Sequence, residues 1–309
     1  MKMRISFLFA ALLLGQSCDL VAGRIEIDGG PGYEVHEIFD EVGAASLASA
    51  ACEGDIAELE RMVASGAEVD KPGRFEVTAL TWALTCDGLH FNPYRDRAGY
   101  SYSSKGQLQD KRDSTEFSAS IRLLLASGAD PNHKIEGDYG PIEPYSHEYY
   151  IDGYSPLLIA AEFHDSEILS LLLEFGGNPN AIDTTNDVSA LTAAFDRGYW
   201  LDGNPGGLAS DPRAWDNLYV LLGAGADLTS SPDGYLNVVE LAALRRNDIL
   251  QHLLENYEYS GDIDMIVSFL EAHIEVGYPD QERKKEILRF LAENKGAQVD
   301  PSLLADPAQ

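Results

Sequence analysis

The sequence predicts an all-α fold: a row of about five to six helix-turn-helix units interrupted by long loop insertions. Three observations predict it. Apolar residues recur at the helical spacing in paired short segments, as at Leu157, Ala160 and Ala161 and then Ile168, Leu171, Leu172 and Leu173. Glycine ends the second segment of successive pairs, at Gly66, Gly128, Gly176 and Gly225, where a left-handed cap costs glycine little. A pair of this size cannot bury its own apolar face, so it needs copies on either side, and the chain supplies them.

The clearest unit spans 153–181. Ser155-Pro156-Leu157 opens its first helix, with Pro where a missing N–H costs nothing. The alanines at 160 and 161 let a second helix approach closely. His164-Asp165-Ser166 is a polar turn, Gly176-Gly177 stops the second helix, and Asn178-Pro179-Asn180 begins the next turn. Taken in order, 23–32 is a Gly-rich tether within a flexible stretch 18–34, and 33–42 is a short capping helix with Val35, Ile38 and Phe39 on one face. Unit one is 45–70. Unit two opens at Thr78-Ala79-Leu80-Thr81-Trp82-Ala83 and closes with the run 121–132. Unit four joins 189–194 to 218–227, and unit five is 238–257. A degenerate sixth, 263–297, closes the row with Ile287, Phe290 and Leu291 facing inward, and 298–309 is a loose tail.

This pattern resembles the ankyrin repeat, most specifically in Ile121-Arg122-Leu123-Leu124-Leu125-Ala126-Ser127-Gly128-Ala129-Asp130-Pro131-Asn132. The resemblance covers most of 45–297 and implies a solenoid that binds proteins. The usual Thr-Pro-Leu-His is never complete. Its His position holds Ala48, Thr81, Leu158 and Thr192, so the turns must be braced by other means. An ankyrin repeat is about 33 residues long. From Gly66 to Gly128 is 62 residues, from Gly128 to Gly176 is 48, and from Gly176 to Gly225 is 49. The excess places insertion one near 87–116, insertion two near 133–152 and insertion three near 199–216. The first and third fall between the helices of a unit. The second falls in a turn between units, beside the concave face.

Residues 1–17 read as an export signal: Lys2 and Arg4, then an apolar run from 5 to 14 too short to span a bilayer. Small residues before Cys18 resemble a bacterial lipoprotein signal, in which that thiol is acylated and anchors the chain. The alternative is cleavage after Ala22 and a soluble periplasmic protein. Export leaves Cys52 and Cys86 in an oxidising compartment. They fall near the ends of the first helices of successive units. A disulfide there needs local distortion, because stacked helices stand about 10 Å apart; two buried thiols are the alternative.

The net charge of −29, from 51 acidic and 22 basic residues, opposes nucleic acid and anionic membrane surfaces. It fits a basic protein partner, or serves solubility alone. Membrane contact is expected only through an N-terminal lipid, and the chain is expected to be a monomer. No HExxH, Walker-type loop, GxSxG or CxxC occurs, so neither a catalytic residue nor a cofactor nor a metal is expected. His133 and His147 share insertion two with Glu136, Asp138, Glu143 and Glu148, a set that reads better as a solvated acidic loop than as a metal site. The candidate partner-binding residues are aromatic and arginine side chains of the insertions. They are Tyr94, Arg95 and Arg97 in the first, Tyr139, Tyr145, Tyr149 and Tyr150 in the second, and Trp200 in the third. Packing against the units is their alternative role. Three functions compete on this reading. The first is an exported binder, including an immunity protein that neutralises a basic periplasmic toxin. The second is an envelope scaffold or chaperone, and the third, for which no motif speaks, is a hydrolase with its site in the insertions.

Overall fold

The computed structural model describes residues 34–86, 114–137, 152–201 and 213–304. A four-residue helix α1 (Val35–Ile38) precedes six helix pairs: α2 (Val42–Glu53) with α3 (Ile56–Ala64), α4 (Ala79–Thr85) with α5 (Ser114–Ala126), α6 (Pro156–Phe163) with α7 (Ser166–Glu174), α8 (Ala190–Leu201) with α9 (Asp216–Gly223), α10 (Val238–Arg245) with α11 (Asn247–Asn256), and α12 (Ile263–Val276) with α13 (Gln281–Lys295). The first helices form one row, α2 on α4, α4 on α6, α6 on α8, α8 on α10 and α10 on α12. The second helices pack behind them, α3 on α5, α5 on α7, α7 on α9 and α11 on α13. The first row can be tight because its contact residues are small: Ala48, Ala51, Ala83, Ala160, Ala161, Ala194 and Ala242 are all fully buried. Every residue of α4 and α6 is buried, so neither helix offers an open surface.

The turns are braced without the missing histidines. Thr78, Ser155 and Asn237 cap α4, α6 and α10, each accepting a backbone N–H three residues on. At Ser189 the bond is reciprocal: its N–H donates to Thr192 Oγ1 at 2.8 Å while its Oγ accepts from Thr192 N at 3.3 Å. A second device runs from pair to pair. The side chain four residues past each stop glycine accepts the N–H two residues past the next. Asp130 N donates to Asp70 Oδ1 at 3.1 Å, Asn178 N to Asn132 Oδ1 at 2.8 Å, and Asp227 N to Asn180 Oδ1 at 2.7 Å. Each link satisfies a turn N–H that no helix could satisfy.

A third device appears where an insertion separates the two helices of a pair. Eight residues before their stop glycines, α5 and α9 carry a buried polar side chain that reaches back to the preceding pair. Ser120 Oγ donates to Ala51 O of α2 at 3.0 Å. Asn217 Nδ2 lies 3.2, 3.0 and 2.9 Å from the carbonyls of Ala160, Ala161 and His164, at the C-terminal end of α6. Asn217→Ala removes the side-chain amide that these carbonyls share. We expect a loss of about 1–3 kcal/mol in denaturant unfolding. An unchanged midpoint would mean that water replaces the amide.

Cys52 and Cys86 form a disulfide with a Cα–Cα separation of 6.2 Å. Cys86 is the C-cap residue of α4 and keeps helical backbone, φ −66° and ψ −28°, so the bond closes without the distortion expected from the sequence.

Several boundaries differ from the sequence reading. α2 begins at Val42 rather than Ala45. Residues 114–116, assigned to insertion one, already belong to α5, with Glu116 in its first turn. α8 runs on to Leu201, carried by a Phe195–Tyr199 ring stack one turn apart, so insertion three starts later than 199. Phe290 packs against the core half-buried, and Leu288, not singled out from the sequence, is fully buried; Lys284, Ile287, Leu288 and Leu291 make the buried stripe at the helical spacing. The tail expected to be loose from 298 carries α14 (Pro301–Leu304), which packs on α12 and α13. Asp300 N donates to Glu271 Oε1 at 2.8 Å and Arg289 Nη2 to Leu304 O at 3.2 Å. Finally, two short strands, β1 (Ile182–Asp183) and β2 (Val188–Ser189), pair as an antiparallel hairpin in the turn before α8.

Candidate protein-binding surface

The turns between pairs lie side by side and are joined into a ridge. Its first member is the single-turn 3-10 helix Arg74–Glu76, in which Phe75 and Glu76 both hold left-handed backbone, φ 60° and 57°. Such conformations are costly for residues with a side chain and persist only where neighbours enforce them. Here Phe75 O accepts Glu136 N at 2.9 Å, and the Arg74 guanidinium lies 4.3 Å from the Phe75 ring centre. Glu136 leads into insertion two, whose two ends are pinned together. Ile135 N donates to Tyr154 O and Gly153 N to Ile135 O, both at 2.9 Å, and Gly137 N donates to Asp152 Oδ1 at 2.9 Å.

The next member is the β1–β2 hairpin. Asp183, 1% exposed, accepts from Thr185 N at 2.9 Å, Asn186 N at 3.0 Å and Asn186 Nδ2 at 2.6 Å, which fixes the tight turn. Asn186 Nδ2 also reaches Asp152 O at 2.8 Å, and Lys134 Nζ donates to Ile182 O at 2.9 Å, so the hairpin and the base of insertion two brace each other. Beneath them the buried Tyr154 hydroxyl donates to Glu162 Oε2 of α6 at 2.8 Å. Beyond the hairpin, Asp187 faces Tyr235 in the turn before α10. Asp187, as a hydrogen-bond acceptor first and as a charge second, holds the exposed phenol above its ordinary pKa.

A second concentration of aromatic and arginine side chains lies where α8, α9, α10 and α11 meet. Arg245 donates to Asp196 Oδ1 at 2.7 Å and lies 5.4 Å from the Tyr199 ring centre. Arg246 grips Asp248 with two bonds, 2.9 and 2.6 Å, and lies 4.8 Å from Trp215. Each guanidinium is thus held by a carboxylate on one side and a ring on the other. Burial pushes the Asp196 carboxyl upward, against the pull of Arg245.

Of the residues singled out from the sequence, Cys18, Tyr94, Arg95, Arg97, Tyr139, Tyr145, Tyr149 and Tyr150 lie outside the described residues. Trp200 stands in the last turn of α8, next to Tyr199. Asp138, Glu143, His147 and Glu148 also lie outside the described residues, and His133 Nε2 stands 3.7 Å from Glu76 Oε2. Among the described residues no cluster of three or more His, Cys, Asp or Glu is placed to hold a metal ion. No described helix is long and apolar enough to cross a membrane. The sequence reading missed Phe75, Trp215, Tyr219, Arg245 and Arg246. The adjacent arginines in so acidic a chain were a usable signal for the last two. Phe75 gave none, because its interest lies in its backbone.

No curated protein matches the chain. The ankyrin repeat family model matches residues 152–184, the stretch from the base of insertion two through α6 and α7 to the hairpin. Ankyrin repeats are typically non-catalytic modules that mediate protein–protein binding, which is consistent with a protein partner for this chain. The match, on a mostly helical fold, supports an ankyrin-repeat protein.

Proposed function

We propose that the six helix pairs form one ankyrin-type solenoid that binds another protein through its turn ridge and the insertions it carries. The observation that carries this reading is the pinned base of insertion two. Four backbone N–H bonds, from Ile135, Glu136, Gly137 and Gly153, hold the ends of a segment containing Tyr139, Tyr145, Tyr149 and Tyr150. Ordering those ends beforehand lowers the entropy lost when a partner is engaged. The partner is basic on this reading, because a chain of net charge −29 attracts and steers positive surfaces.

The binder is exported and anchored by a lipid on Cys18. The signal-like N-terminus supports this, and so does the Cys52–Cys86 disulfide, a bond that persists in oxidising compartments. An immunity protein that neutralises a basic periplasmic toxin is the form of the reading that uses charge, export and binding together. Two experiments test it. Cys18→Ser should move the protein from the membrane to the soluble periplasmic fraction; retention at the membrane would exclude Cys18 as the anchor. Changing Tyr145, Tyr149 and Tyr150 to Ala should weaken partner binding at least tenfold with an unchanged helical circular dichroism spectrum. Collapse of the helical signal would show those rings to be structural.

A further inference from the structure

The α9–α11 junction carries an aromatic cluster, of which Tyr257 packs in part against the core. Tyr219 of α9 projects 36% exposed. Its ring meets His252 of α11 edge-on, at 5.2 Å and 72°, and His252 meets Tyr257 at 6.1 Å and 65°. The three rings make a continuous patch in which Tyr219 is exposed and His252 and Tyr257 are half-buried. Its border is acidic: Asp216 lies one turn before Tyr219, Glu255 lies one turn after His252, and Asp248 is close enough to act on the Tyr219 phenol. Burial and then Asp248 hold that phenol above its ordinary pKa. The adjacent cation, Arg246, is already clamped by Asp248 and seated at Trp215. The same junction therefore shows twice, at Trp215 and at Tyr199, how it receives a guanidinium: a ring on one side and a carboxylate on the other.

We infer that Tyr219, His252 and Tyr257, bordered by Asp216, Asp248 and Glu255, form a docking surface for a lysine- and arginine-rich segment of a protein partner. The inference rests on the basic-partner reading above and gives it a second contact area, on the side of the stack formed by the second helices. Cations at ring faces gain most from aromatic groups flanked by carboxylates, since the two attractions act on the same charge. A hydrophobic or acidic partner segment would leave Asp216 and Glu255 without a cation or repelled, Asp248 being already paired with Arg246.

The test uses a ten-residue peptide of alternating lysine and arginine as probe, with a serine–glycine peptide of equal length as reference. Binding is followed by calorimetry and by the ring resonances of His252 at about 0.1 M salt. The full mature chain is compared with Tyr219→Leu/Tyr257→Leu, which keeps net charge and apolar bulk, and with Glu60→Gln, which removes one exposed charge on the distant α3. The inference predicts that the basic peptide binds and shifts the His252 signals, that the tyrosine double variant binds at least fivefold more weakly, and that Glu60→Gln changes affinity less than twofold. Equal binding by the parent chain and the tyrosine variant would overturn the docking surface while leaving the basic-partner reading intact. No binding of the basic peptide to the parent chain would overturn both. If the double variant loses helical signal, Tyr219→Phe takes its place: it keeps the ring, so the inference then requires parent-like affinity and the same His252 shift, and a fivefold loss would contradict it.

Discussion

Replacing both Cys52 and Cys86 by serine is expected to cost about 3–4 kcal/mol of stability. The bond joins residues 34 apart in sequence, and the entropy of closing a loop of that size in the unfolded chain sets the scale. The loss should be uneven. Helix pairs stabilise mainly their neighbours, so a staple between α2 and α4 protects the start of the stack more than its end. Hydrogen exchange should show amides of α2, α3 and α4 losing protection while those of α12 and α13 keep it. Reduction of the parent protein by a dithiol should reproduce the serine phenotype. If the denaturant midpoint and the protection of α2 are unchanged in both, the bond contributes nothing to holding the first pairs together.

Gly153→Ala should be nearly as damaging, by about 2–5 kcal/mol, and it should act at the ridge. Gly153 has φ +88°, and a Cβ there would stand 2.2 Å from Asp183 Oδ1 and 3.1 Å from Thr185 Oγ1. Asp183 cannot withdraw, because its carboxylate holds the hairpin turn through three N–H bonds. The backbone strain and the overpacking therefore add. Gly66→Ala separates the two contributions. Gly66 has the same φ of +88° and nothing within 4 Å of its added Cβ, so it should lose only about 1–2 kcal/mol. In denaturant unfolding, equal losses at the two positions would show that the Asp183 contact is not rigid. The Gly153 variant should also bind the partner more weakly, since the base of insertion two and the hairpin brace each other through Asp152, Gly153 and Asn186.

The helix pairs were legible because burial leaves a periodic trace. Leu157, Ala160, Ala161, Ile168, Leu171 and Leu172, all buried, announce α6 and α7 from the sequence. The stop glycines were legible for the same local reason, and Gly66, Gly128, Gly176 and Gly225 all have positive φ. What brings pairs together was less visible. The rungs at Asp70, Asn132 and Asn180 use residues common in any turn, and only the structure shows that each reaches across to the next pair. Ser120 and Asn217 read as ordinary polar positions, although each ties an outer helix to the pair before it. The ends of elements were the least legible. At Tyr257, where no stop glycine occurs, the backbone is extended, φ −131° and ψ 151°, so α11 ends without a left-handed cap. The surface was legible only in part. Counting tyrosines pointed to the insertions, whereas the α8–α11 junction joins Tyr199, Trp215, Tyr219, Arg245 and Arg246 across some 50 residues of chain and had no local pattern to reveal it.

The most direct test of the account is capture from the protein's own cells. The mature chain, disulfide intact, serves as bait at low and then at moderate salt, with bound protein quantified by mass. The account predicts one basic protein retained at near-equal stoichiometry at low salt, released as salt rises because exposed charges become screened. Retention of no protein, or of many at low occupancy with no salt dependence, would contradict a dedicated electrostatic partner and leave the charge of −29 as a matter of solubility.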